Sequence, residues 1–146
     1  MRLRSFVPAV HGFLDTIREG HPTTPLVLVS PIFCGVHEDT PGPGAIDPAS
    51  LGSDQVTFVA SGRAGDLELG RLTLRVTRDA LSDLVERRAG DAHLHYLDGT
   101  RLYGEADAGA HPLPDALHPD TATHQLIGER FADYAFADAG PFTSSP

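Results

Sequence analysis

The sequence predicts an α/β domain built on a mostly parallel sheet. Three observations carry this expectation: helical apolar spacing over residues 6–19, a proline-bounded apolar run at 26–33 too short for a helix, and a second helix-then-strand succession over residues 73–97. Helices alternating with buried strands are the mark of parallel strands joined by crossovers.

In the first helix Phe6, Val10, Phe13, Leu14 and Ile17 share one face, and Gly20-His21-Pro22 supplies the stop. Residues 26–33, Leu-Val-Leu-Val-Ser-Pro-Ile-Phe, suit a strand buried on both faces. Residues 34–54 are dense in Gly, Pro, Asp and Ser and predict a long excursion without regular structure, continuing to about residue 70. Within it residues 56–60 predict a short strand or a flap, turning at Ser61-Gly62-Arg63. Leu72, Val76, Leu81, Leu84 and Val85 give a helix over 73–88, with Arg87 and Arg88 near its negative end. His93 to Leu97 alternates before Asp98-Gly99 and predicts a second strand of the same sheet. The last helix starts near Asp120 or Thr121, with Leu126, Ile127, Phe131 and Tyr134 inside, and residues 141–146 predict a frayed tail.

Bulk composition bounds the function. A chain of 146 residues fits one domain, and 40% apolar with 21% charged residues is ordinary globular usage, which predicts a folded, soluble protein. A formal charge of -9 opposes binding to a phosphate backbone, so nucleic acid is not an expected partner. One cysteine, Cys34, allows no internal disulfide. No stretch approaches the roughly 18 consecutive apolar residues of a membrane span, and the first residues, with Pro8, His11 and Asp15, do not form a signal peptide. A cytoplasmic location is favoured on these grounds.

The residues with chemical promise sit between the second strand and the last helix, where open α/β sheets bind ligands. Asp115 lies three residues before His118, so its carboxylate can accept from one ring nitrogen and leave the other free as a general base. A position just before a helix disfavours the imidazolium. The alternative is that Asp115, Pro119 and Asp120 are turn and cap residues beside a surface histidine. Cys34, following the first strand, could pair with His118 as a thiol nucleophile. His93, His95, His111, His118 and His124 invite a metal reading, but no His-Glu-x-x-His motif or cysteine pair accompanies them.

The block Asp-Ala-Leu-His-Pro-Asp-Thr-Ala-Thr-His at 115–124, followed by a helix, resembles the last conserved block of the SGNH (GDSL-type) hydrolases, Asp-x-x-His-Pro before a terminal helix. The upstream order of helix, strand, helix and strand resembles the second half of that fold. The resemblance implies a three-layer α/β/α sandwich with a mostly parallel sheet, flavodoxin-like and incomplete at its N-terminal side, as one domain over 1–146. It also implies ester (acyl or acetyl) hydrolysis without cofactor or metal, on a small-molecule ester, with Asp115 orienting His118. The Gly-Asp-Ser nucleophile block and the Gly and Asn oxyanion blocks are not in the sequence. The expectation is therefore a C-terminal portion, inactive alone, prone to self-association through an exposed sheet edge. Ser30 in a strand, Ser53 in the excursion and Ser61 without an elbow signature are poor substitutes for the missing nucleophile. The competing reading is a non-catalytic α/β protein that binds a ligand or a subunit.

Overall fold

The computed structural model describes residues 1–63 and 65–143. Its centre is a pair of parallel strands, β1 (Leu26–Val29) and β4 (Leu94–Leu97), in the register Leu26 to Leu94 through Val29 to Leu97. Parallel neighbours keep side chains of one parity on one face. Leu26, Leu28 and Leu94 accordingly meet α1 (Leu3–Gly20) and α4 (Leu74–Arg87), where Leu14, Leu84 and Leu94 form the core with Val7, Val10 and Val85 beside them. The fold is α/β, as the sequence predicts.

The long helices follow the sequence pattern. Helix α4 begins where the Thr73 hydroxyl accepts from the Val76 amide at 3.2 Å. Helix α1 starts at Leu3, three residues before the periodicity implies, and closes at Gly20, where the His21 amide donates to Ile17. Phe13, assigned to its inner face, is 64% exposed, because Leu14 occupies the centre of the contact. Arg18 joins the end of α1 to the approach to β4 through Asp91 at 2.7 Å. Helix α6 (Thr121–Ala135) begins at the expected residue, and its Tyr134 hydroxyl donates to the Tyr96 carbonyl at 3.3 Å.

Four expectations need correction. The first strand stops at Val29 and is only half-buried, since among the described residues no strand pairs with its other edge. Ser30-Pro31 departs because Pro31 has no amide to continue the ladder, and because the backbone of Gly99 packs directly on Ser30 and Pro31, where a Cβ would lie 2.1 Å from the Ser30 carbonyl oxygen. The excursion at 34–70 has more regular structure than expected: α2 (Gly35–Glu38), β2 (Gly44–Ile46), a 3-10 turn at Pro48–Ser50 and α3 (Gly65–Glu68), with β2 paired antiparallel to β3 (Phe58–Ala60), the short strand expected at 56–60. The buried pair of Glu38 and Arg78 fastens α2 to α4, and Asp39 holds Arg75 at 2.8 Å. A helix the sequence does not announce, α5 (Glu105–Ala110), is fixed by Arg130, which grips both oxygens of Asp107 at 2.7 and 2.8 Å. That guanidinium holds the Asp107 carboxyl down at about 2. Finally, the tail is not frayed through residue 143, for the Phe142 amide donates to Ala135 at 3.0 Å; residues 144–146 lie outside the described residues. Among the described residues no helix is long and apolar enough to cross a membrane.

Leu84 is 1% exposed at the junction of α1, α4 and the sheet. Leu84→Ala is expected to cost about 2–5 kcal/mol in urea unfolding, through lost burial and the cavity left behind. A loss below about 1 kcal/mol would contradict this placement of the core.

Candidate active site

Both strands of the parallel pair run towards the same edge, and the segments leaving them carry the site. After β4 the chain passes the 3-10 turn Gly99–Arg101 and α5, then reaches the turn from Leu113 to Asp120 that leads into α6. The Asp120 carboxylate caps α6 by accepting from the Thr123 amide at 2.8 Å.

Asp115 organises the turn. Its Oδ1 accepts from the backbone amides of Leu117 at 2.9 Å and His118 at 2.7 Å, and its Oδ2 lies 2.7 Å from Nδ1 of the His118 ring. Folding the chain back on the carboxylate sends Ala116 to φ 67°, a left-handed conformation that a residue with a Cβ disfavours and that tertiary contacts help to maintain. Those contacts come from distant segments. The Phe58 amide of β3 donates to the Asp115 carbonyl at 2.9 Å, the Gln55 side-chain amide donates to Pro114, and the Cys34 thiol donates to the Ala116 carbonyl at 3.5 Å. Phe58 also stands edge-on to the His118 ring, centroids 5.5 Å apart.

The electrostatics favour one tautomer. The His118 amide, its ring and the Leu117 amide hold the Asp115 carboxyl at about 2, so at neutral pH it is an anion that only accepts. Nδ1 is then the donor, and Nε2 carries the lone pair. The His118 side chain is 66% exposed, and among the described residues Nε2 has no hydrogen-bond partner. A base is thus oriented and accessible.

The structure brings Asp115 and His118 together as the spacing implies, and turn residue and histidine partner prove to be one role. Among the described residues it does not bring a nucleophile to them. Ser30 is buried, with its hydroxyl accepting from the Gly99 amide at 3.0 Å. The Ser53 hydroxyl donates to Ser50 and Gln55, and that of Ser61 to Pro43. Cys34 is also buried, and desolvation pushes its thiol up, with the charges of Glu38 and Asp115 adding to the effect. That is the opposite of what thiolate chemistry needs. Among the described residues no three His, Cys, Asp or Glu side chains converge as a metal site. Phe58, Gln55 and the thiol donor are parts of the site that the sequence does not reveal, because each reaches it across a large separation along the chain.

Asp115 has an ordinary value of 3.8 and a folded value of about 2, so what its ionisation adds to the turn is complete above about pH 4 and is lost as pH falls through 2. Its side-chain carboxyl resonance should titrate with a midpoint near 2. A midpoint near 3.8 would mean that the clamp on Leu117 and His118 is not formed.

No family model matches this chain, and no curated protein matches it. Among solved structures it is similar to the salicylyl-acyltransferase SsfX3 from a tetracycline biosynthetic pathway, at 25% identity and a TM-score of 0.60. The likeness covers 88% of this chain and 31% of that one, so the chain spans less than a third of the enzyme it resembles.

Proposed function

We propose that this chain carries the acid-histidine part of a serine acyl-ester site of the SGNH/GDSL hydrolase kind, with the serine and the oxyanion donors supplied by residues outside this sequence. The observation that carries the reading is the 2.7 Å contact between Asp115 Oδ2 and His118 Nδ1, with Nε2 unpartnered among the described residues. The Asp-x-x-His-Pro order before α6 supports it, as does the likeness to a solved acyltransferase. The three-layer sandwich belongs to the same proposal, with α1 and α4 on one face of the sheet and α6 on the other.

In this reading the ionised Asp115 keeps the proton on Nδ1. Nε2 takes the proton of the serine hydroxyl as that oxygen bonds to the ester carbonyl carbon, and the carbonyl electrons move onto oxygen. The tetrahedral oxyanion then collapses, the bond to the alcohol oxygen breaks, and that oxygen recovers the proton from Nε2. Acyl-serine remains. Water activated by the same nitrogen releases the carboxylic acid, whereas an acceptor alcohol in its place yields a new ester. Hydrolysis and acyl transfer therefore differ only in what reaches the acyl-enzyme, and neither calls for a cofactor.

The test is p-nitrophenyl acetate turnover. The full polypeptide that carries this sequence should hydrolyse it, with Asp115→Asn lowering kcat on the order of 10⁴-fold and His118→Ala by at least as much. The 146-residue chain alone should stay near background. Turnover by this chain that survives His118→Ala would refute the assignment.

A non-catalytic subunit-interaction reading draws on other features: the edge of β1 that is unpaired among the described residues, with Val29 38% exposed, and Phe13 64% exposed on α1. Such surfaces favour association. Sedimentation velocity across a concentration series should show a reversible dimer if this reading holds, and a monomer throughout would dismiss it.

A further inference from the structure

Two hollows flank Phe33 beyond the end of β1, and their chemistry is opposite. The larger, about 420 Å³, is lined by Glu38, Arg75, Arg78, Asp79, Asp98 and Glu105 among others. An apolar group placed there would strip water from charges without giving them partners. The smaller, about 250 Å³, is walled by Phe33 and Val36 from the segment after β1, Tyr103 and Ala108 from the segment after β4, and Leu113 and Ala116 from the turn that carries Asp115 and His118.

None of the side chains lining the smaller hollow bears a charge at neutral pH. Several of its polar wall groups are already paired. The Tyr103 hydroxyl donates to the His111 carbonyl at 2.6 Å, the Phe33 amide donates to the Tyr103 carbonyl at 2.9 Å, and the Ala116 carbonyl takes the Cys34 thiol. A ligand entering it meets carbon. The wall nearest the candidate base is also fixed in shape, because Ala116 is held at φ 67° between the Asp115 clamp and Cys34.

The hollow is open to solvent on one side, so its size sets which group it can cover. A dry apolar cavity of about 150 Å³ accepts a benzene ring. At about 250 Å³ this hollow suits a single aromatic ring or a short branched alkyl group, and a long acyl chain would project into solvent. We propose that it binds the apolar group of the ester, of single-ring size, beside the turn that presents His118; this rests on the acyl-ester reading of Asp115 and His118. Ala108, Leu113 and Ala116 would then set substrate size.

Binding can be read on the 146-residue chain without turnover, from amide shifts on titration with methyl benzoate, whose ring is on the acyl side, and benzyl acetate, whose ring is on the alcohol side. At least one of them should move the amides of Val36, Tyr103, Ala108, Leu113 and Ala116, and the tighter of the two identifies the side of the ester that enters. Methyl acetate, which lacks the ring, should bind about tenfold more weakly or worse. Ala108→Leu, which fills the hollow from α5, should abolish ring binding while the spectrum elsewhere is preserved. His118→Ala should keep it within about twofold, since the histidine is no part of the wall. Shifts that map instead to the charged hollow or to the groove between α1 and α4, equal binding of methyl acetate, or an unchanged Kd in Ala108→Leu would each overturn the pocket assignment. So would loss of ring binding in His118→Ala. Failure of the p-nitrophenyl acetate test with ring binding intact would remove the catalytic reading and leave the pocket standing.

Discussion

Everything that converges on His118 depends on the parallel pairing of β1 with β4. A parallel ladder makes both strands point the same way, so the segments that leave Val29 and Leu97 emerge side by side although they are far apart in sequence. Gly99 shows how close they come, with its backbone against Ser30 and Pro31 and its amide bonded to the Ser30 hydroxyl. A Cβ at residue 99 would push the two exits apart. From that contact onward Phe33, Cys34 and Val36 on one exit, and Tyr103 and the turn around Asp115 on the other, build a single wall.

That wall explains why the turn holds a conformation that its own sequence disfavours. Ala116 in the left-handed region costs on the order of 1 kcal/mol, offset in part by the local Asp115 clamp and in part by bonds from distant segments. The Cys34 thiol, the Phe58 amide and the Gln55 side chain each bond to a carbonyl of residues 114–116, and these bonds arise only once β1, β3 and the flap are in place. The geometry at His118 is thus a tertiary product. It is coupled to the packing of a ribbon that, among the described residues, has no sheet partner beyond its own two strands.

The same distinction separates what the sequence discloses from what it hides. Helices α4 and α6 are legible because their signals are local: apolar spacing of 3.6 residues, and cap residues Thr73 and Asp120 that bond to amides three positions on. β4 is legible by alternation. β1 is overextended, since periodicity cannot register that Pro31 breaks the ladder or that among the described residues the strand's other edge lacks a partner. The region from 34 to 54 reads as structureless because its order comes from pairs with no sequence proximity, such as Glu38 with Arg78 and Asp39 with Arg75. Helix α5 is too short for a periodic signal and leans on Arg130, 23 residues from Asp107. Asp115 and His118 are legible because a carboxylate three residues before a histidine is a local pattern. The apolar hollow beside them is not, since its six named walls come from three separate stretches.

The division of labour within Asp115 decides how the pair can be dissected. Two of its three hydrogen bonds go to backbone amides, and only the third goes to the imidazole. The histidine is mostly exposed, so the ion pair it would form when protonated is screened by water and adds little to stability. The turn is therefore preorganised without the ring. Removing the imidazole leaves the carboxylate, the Ala116 conformation and the hollow in place, whereas altering the carboxylate disturbs the amide bonds and the ring tautomer together. Under the proposed acyl-ester reading, a loss of function on changing His118 would report on proton transfer. The same loss on changing Asp115 mixes chemistry with scaffold, and only the first is a clean measure of what the exposed nitrogen does.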